Sequence, residues 1–240
     1  MENSMLSLSL DDRFTFTCSN AMSCFNECCQ SLNQFLTPYD ILRLKQYLGI
    51  SSSLFIERYS FPQIGSETGL PIISLKPVSE SKCPFVAETG CSVYKDRPSS
   101  CRSYPLARIL SRSRETGKTT EQYILLRESH CFGFNGEQMW TVHEWMEDQG
   151  LSIYNEMNDL LMEIISLKNR FMPGQLDLNA KRAFHMACYD IDVFREHISQ
   201  NETLEGFPLY KNIRDAAQQN DVYLLRAGIE WLKTVIFAKK

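Results

Sequence analysis

Cys18-SNAMS-Cys24-FNE-Cys28-Cys29, at residues 18–29, is the stretch whose reading decides how this chain folds. It puts four thiols into twelve residues, two of them adjacent. Four more follow at Cys83, Cys91, Cys101 and Cys131, so eight of the nine cysteines lie at or before residue 131 and only Cys188 lies beyond it. Thiolates are soft ligands that suit zinc, Cu(I) and iron–sulfur clusters. A chain of 240 residues buries a core without covalent staples. The cysteines therefore read as metal ligands rather than as a disulfide framework.

Side-chain direction sharpens this reading. Adjacent residues point to opposite faces when extended and about 100° apart when helical. Cys28 and Cys29 are thus expected to serve two centres or to edge one larger cluster, rather than to share one tetrahedral ion. One helical turn would put Cys24 and Cys28 on a common face. The second group, Cys83-Pro84-Phe85, Cys91-Ser92-Val93-Tyr94 and Cys101 after the turn at 96–100, is rich in Pro, Gly and Ser. It is expected to be irregular and folded around a centre. Arg102 next to Cys101 is expected to favour the thiolate. Cys188, between Ala187 and Tyr189 in a helical pattern, reads as a core residue.

The remaining polar candidates have plainer readings. His130 beside Cys131 is a possible ligand or base but reads first as the end of a strand. His143, His185 and His197 read as helix surface or core. Asp96 and Arg97 read as a turn-stabilising pair, with support of a metal second. Tyr94 and Tyr104 are expected to pack over the site rather than to react.

Working outward, Thr37 caps a predicted helix that begins at Pro38 and stops at Gly49, and Ser51 or Ser52 caps a second. Residues 61–70 read as loop, Pro71–Pro77 and Glu121–Glu128 as strands, and Phe14–Thr17 as an edge strand after a short lead-in. Arg108, Arg112 and Arg114 with Lys118 read as a solvated basic loop. From Thr141 the pattern turns helical. Thr141 and Glu144 form a capping box, and Trp140 and Trp145 sit at the two positions of a hydrophobic staple. Helices are predicted from Ser152 to Arg170, over 179–198, near 209–218, and over 221–237 opened by Asp221. The fold class expected is α+β, mostly helical. An irregular Cys-rich, metal-nucleated domain with short strands occupies 1–135, and a helical extension packed on it occupies 136–240.

The net charge is −4 with no basic stripe, which argues against a nucleic-acid partner. MENSMLSLSLDDRF has no signal-peptide pattern, and no window approaches the ~20 apolar residues of a membrane span. The expectation is a cytoplasmic protein with no membrane partner, acting on a protein or small molecule. Radical S-adenosylmethionine chemistry wants C-x₃-C-x₂-C; Cys24 and Cys28 begin that pattern, but Ser31 stands at its third position. No Walker loop, Gly-rich nucleotide loop or GxSxG elbow is present.

Phe16-Thr17-Cys18 through Cys28-Cys29, Cys83-Pro84-Phe85, Cys91-Ser92-Val93-Tyr94, Arg97-Pro98 and Cys101-Arg102-Ser103-Tyr104-Pro105 together resemble the YkgJ-type cysteine-cluster family of zinc- or iron-chelating domains, from about residue 14 to 135. The helical tail resembles the C-terminal extension of a bacterial subgroup. The resemblance implies metal or iron–sulfur binding by Cys24, Cys28, Cys29, Cys83, Cys91 and Cys101, with Cys18 and Cys131 as further members. Five residues separate Cys18 from Cys24, wider than the family's usual spacing. Only Cys24 and Cys28 have the short spacing of a structural zinc pair, so an iron–sulfur cluster is favoured over zinc as cofactor. Three functions stay open. One is cluster-based redox or modification chemistry of the Fe–S oxidoreductase kind. Another is a structural zinc module for protein–protein interaction. The third is a protein methylase-like enzyme dependent on S-adenosylmethionine, since a related cysteine module occurs in flagellin lysine methylases.

Overall fold

Period-two alternation over Thr119–Arg127 sends Tyr123 and Leu125 to one face, where both are buried. This strand is the centre of a three-stranded antiparallel sheet, flanked by Ser4–Leu8 and Leu106–Arg112. Leu8 lies opposite Tyr123 and Leu106 opposite Leu125, so each edge strand adds one apolar side chain to the same buried face. The computed structural model describes residues 3–30, 33–112, 116 and 118–237. Ser31 and Arg114 of the sequence reading lie outside them.

The buried face of that sheet is closed by aromatic residues. Arg13–Thr15 pairs with Met139–Thr141, with Trp140 opposite Phe14. Phe14, Phe16, Val142 and Trp145 join Leu8, Leu106, Tyr123, Leu125 and Cys131 in one core. Phe16 meets Tyr104, Phe134 and Trp145 edge-on at 5.9, 5.3 and 5.5 Å. Such pairs add roughly 0.5–1.5 kcal/mol beyond the area they bury. The helix Val142–Asp148 starts as expected: Thr141 Oγ1 accepts from the Glu144 amide at 3.1 Å, and Glu144 accepts from the Thr141 amide at 2.8 Å. Trp140 and Trp145 touch at 5.3 Å, completing the staple.

The chain forms two units, each built from two separated stretches. Met1–Leu32 with Pro77–Ile153 make the first, and Asn33–Lys76 with Tyr154–Lys240 make the second. The boundary read from sequence at 135/136 falls inside the first unit, because Trp145 belongs to the same core as Phe14 and Phe16. The architecture is mixed α and β, with helix predominating and the strands in several small sheets.

In the second unit, Phe35–Leu36, Pro71–Leu75 and Ser60–Ile64 form a small antiparallel sheet with Pro71–Leu75 in the middle. Residues 61–64 are thus strand rather than loop, since pairing with 71–74 supplies hydrogen bonds that local sequence does not announce. The helix Pro38–Leu48 has Thr37 as its cap, Pro38 at its first position and Gly49 at φ 65 behind it. Ser51 caps Ser52–Tyr59. The helix expected over 179–198 is two helices, Leu178–Cys188 and Ile191–Gln200. They part where the Tyr189 hydroxyl donates to the Pro71 carbonyl at 3.2 Å and Asp190 takes the hydroxyls of Ser52 and Ser53. The last helix, Asp221–Val235, is capped by Asn220. Among the described residues no helix is long and apolar enough to cross a membrane.

Candidate metal centre

All nine cysteines are free thiols. The eight expected as ligands lie in the first unit, and Cys188 lies in the second, buried among its helices. The first cysteine group is not the helix that the spacing suggested. Residues 19–26 run through turns, Asn26 adopts φ 69 in the left-handed region, and only Glu27–Cys29 closes a single 3₁₀ turn. That turn brings the Cys28 and Cys29 sulfurs to 4.0 Å. Two sulfurs on one tetrahedral zinc, with bonds of about 2.3 Å, stand about 3.8 Å apart. The adjacent sulfurs therefore stand close, contrary to the expectation that they point apart.

Three contacts clip this turn to the second cysteine group. The Cys83 amide donates to the Cys29 carbonyl at 2.9 Å. The Asn26 amide side chain donates to the Ala87 carbonyl at 2.9 Å. Gly90 has φ +115, and a Cβ there would stand 3.0 Å from the Phe25 ring. Cys83 precedes the hairpin of Val86–Ala87 with Gly90–Cys91 that these contacts hold, and Cys91 lies in its second strand opposite Val86. A fourth contact reaches Cys131: the Phe132 amide donates to Cys24 Sγ at 3.2 Å. Close approach fixes this last segment, since a Cβ on Gly133 would meet Phe16 at 2.5 Å and the Thr17 carbonyl at 2.9 Å.

The eight thiols form one electrostatic neighbourhood. Burial pushes Cys18, Cys83 and Cys91 up, and each is raised further by Cys28. Cys28 is itself lowered to about 7, first because Cys29 donates a hydrogen bond to its thiolate; Cys29 moves up correspondingly as the donor. Cys29 also interacts with Cys83 and Cys101, and Cys18 with Cys24 and Cys131. Backbone amides oppose the upward shifts. Those of Phe85 and Val86 favour the Cys83 thiolate, and that of Val93 favours Cys91. The cation that acts on Cys18 and Cys91 is Arg97, which also interacts with Cys101. Arg102, the sequence candidate, donates to the carbonyls of Gln149 and Lys95.

The donor chemistry fits a soft metal: clustered thiols, amides aimed at three of the sulfurs, and a guanidinium to offset thiolate charge. Among the described residues, no three His, Cys, Asp or Glu side chains are already drawn together at the spacing that holds an ion. Of the histidines, His130 borders the thiols through Glu128, whose charge acts on Cys28. His130 lies 3.7 Å from Glu128, His143 is 3.3 Å from Glu147 one turn on, and His197 bonds the Thr203 carbonyl at 2.9 Å. His185 is held below the usual imidazole range by burial, partly offset by Asp190. Asp96 is buried, while Arg97 holds the Tyr94 carbonyl at 2.7 Å and lies over the Tyr94 ring. The Tyr104 hydroxyl is buried, and that burial, together with the neighbouring Cys131 and Glu128, raises it above the usual phenol range. Sequence reasoning missed Phe25, Asn26, Gly90 and Gly133. A Gly or Asn beside a cysteine was the available signal, but its meaning depends on a partner segment far along the chain.

Residues 17–132 match the model of the CxxCxxCC family, described as a "Putative zinc- or iron-chelating domain". No curated protein and no solved structure matches the chain.

Proposed function

We propose, from the premise that residues 17–132 are a domain of the CxxCxxCC family, that this protein holds an iron–sulfur cluster through thiolates drawn from Cys18, Cys24, Cys28, Cys29, Cys83, Cys91, Cys101 and Cys131. The observation that carries the reading is the set of backbone amides directed at the sulfurs of Cys24, Cys83 and Cys91. A buried neutral thiol gains little from such a donor, whereas a thiolate accepts a charge-assisted bond. Amide donors to ligand sulfurs also tune the metal's electronics. Arg97 offsets thiolate charge, and the Phe16–Trp145 core keeps water from one side of the site. When bound, an iron–sulfur cluster supplies one-electron redox chemistry.

A second reading, structural zinc, is favoured by the 4.0 Å separation of Cys28 and Cys29, which suits one tetrahedral ion. Zinc has no redox cycle, so its contribution would be folding free energy and a rigid surface for a protein partner. Metal and acid-labile sulfide analysis of protein purified without oxygen separates the two. Iron with sulfide supports the cluster. Zinc without sulfide moves the assignment to a structural module. Folded protein that binds neither metal removes the proposal.

A further inference from the structure

The first unit carries a second chemical feature beside its thiols. A pocket of about 610 Å³ opens next to Cys18, within the roughly 300–1,000 Å³ of small-molecule sites. Its walls include the rings of Tyr94, Trp140 and Trp145 and the carboxyl-bearing residues Glu137 and Asp148, with no Lys or Arg among them. Both indole N–H groups are already donated, that of Trp140 to the Phe16 carbonyl and that of Trp145 to the Ser103 carbonyl, each at 3.0 Å. Half-buried Trp140 therefore offers ring surface to a ligand rather than a donor, while Trp145, only 7% exposed, backs the pocket from the core. Tyr94 is 60% exposed even though Arg97 stacks on it at 3.8 Å. Arg97 in turn donates to the Tyr94 carbonyl and to Gln149 Oε1, which fixes that guanidinium on one face of the tyrosine ring.

Each wall favours the same kind of occupant. Aromatic faces attract cations through the ring quadrupole. Two carboxylates add Coulomb attraction and repel anions. A neutral apolar ligand would gain from the rings but would desolvate the acids without return. From this geometry we propose that the pocket binds an organic cation of the alkylammonium class, with its charged head against Tyr94 and Trp140 and between Glu137 and Asp148. The pocket adjoins the thiols at Cys18, but its binding chemistry does not depend on a metal.

The test is a titration of the full chain with choline and with 3,3-dimethylbutan-1-ol, its neutral isostere, read by tryptophan fluorescence. Trp140 and Trp145 line the pocket and Trp231 lies in the other unit, so a Trp231→Phe variant isolates the reporting pair. A saturable change with choline, at least about tenfold weaker with the isostere, is expected. Asp148→Asn and Glu137→Gln, both at exposed positions, should each weaken choline several-fold while leaving metal content unaltered. No saturable response, equal response to the isostere, or variants that bind like the parent would overturn the assignment. Metal content measured on the same samples keeps this inference separate from the metal proposal. Cation-selective binding by metal-free protein sinks only the latter, and metal without binding sinks only the former.

Discussion

Cys28 is the residue on which the thiol network turns. Cys18, Cys29, Cys83 and Cys91 all respond to its charge. Cys28→Ser should lower metal stoichiometry and destabilise the first unit, because metal binding is folding free energy. Unchanged metal content by elemental analysis would take Cys28 out of the site. Cys188→Ala should leave the metal untouched and act only through the small cavity it opens in the second unit; a lost metal equivalent would show the packing assignment to be wrong. Asn26 offers a subtler test. Its φ of 69 disfavours a side chain by about 1–2 kcal/mol, and its bond to Ala87 adds about 1 kcal/mol. Asn26→Gly keeps the backbone and loses the bond, whereas Asn26→Ala loses both. Chelator competition should therefore show Ala clearly weakest, with Gly close to the parent because the backbone strain it relieves offsets the bond it loses. Equal affinity across the three would mean that the clip does not position the thiols. The thiols themselves were legible in the sequence. The clip was not, since nothing local marks Asn26 as the residue that takes the left-handed turn.

At the scale of elements, helix starts were the most legible feature because caps are local. Thr37, Ser51 and Thr141 each occupy the position that their spacing assigned. Thr141→Ala should cost about 1 kcal/mol, and Trp145→Ala about 3–5 kcal/mol because it empties the middle of the aromatic core. Thermal melts of the two variants should differ clearly; equal, small shifts would mean that Trp145 is not central to that core. Edge strands were the least legible. Leu106–Arg112 lacks an alternating pattern and Ser4–Leu8 carries only the short alternation Leu6-Ser7-Leu8; both pair with 119–127. The basic stretch read as loop is in part that edge strand, and Arg108 pairs with Glu121 across it. Asp221 shows the same limit. It opens its helix as expected, but the cap is Asn220 and the Asp221 carboxylate is taken by distant partners, Lys45 at 2.9 Å and Arg195 at 2.7 Å.

At the scale of the whole molecule, each unit has its own means of cohesion. In the second, buried Lys45 joins Asp192 and Asp221, tying the helices Pro38–Leu48, Ile191–Gln200 and Asp221–Val235. Lys45→Met should cost roughly 3 kcal/mol by taking the Lys45 cation from Asp192 and leaving Asp221 with Arg195 alone; a loss below about 1 kcal/mol in urea unfolding would show the network to be dispensable. Burial alone would raise Asp221, but hydrogen bonds from Lys45, Gln46 and Arg195 outweigh it and hold the carboxyl below the usual range. A carboxyl depressed in the folded state stabilises fully above its unfolded value of about 3.9 and loses that contribution as pH falls through the folded value. Asp221→Asn should therefore flatten the acid limb of a stability–pH curve; an unaltered limb would contradict the assignment. In the first unit the corresponding cohesion is assigned to metal. Chelation should raise amide exchange around residues 24–29, 83–101 and 131–132 before it affects the Lys45 network, and uniform exchange across both units would contradict that division.

What the sequence by itself determined is the inventory and the local grammar: eight thiols ahead of residue 132, one cysteine set apart in a helix, caps and staples that start helices where they start. These depend on residue type and on spacings of three or four, which act before any tertiary contact exists. Only the tertiary structure decided that Cys28 and Cys29 converge, that Arg97 acts on Cys18 and Cys91, and that residues 33–76 join the helical unit. The physical reason is common to all three. Each is set by backbone that distant segments hold in place, as the bonds from Cys83 to Cys29 and from Asn26 to Ala87 hold the cysteine turn and the bond to Gln149 holds Arg97, rather than by any pattern within a single segment.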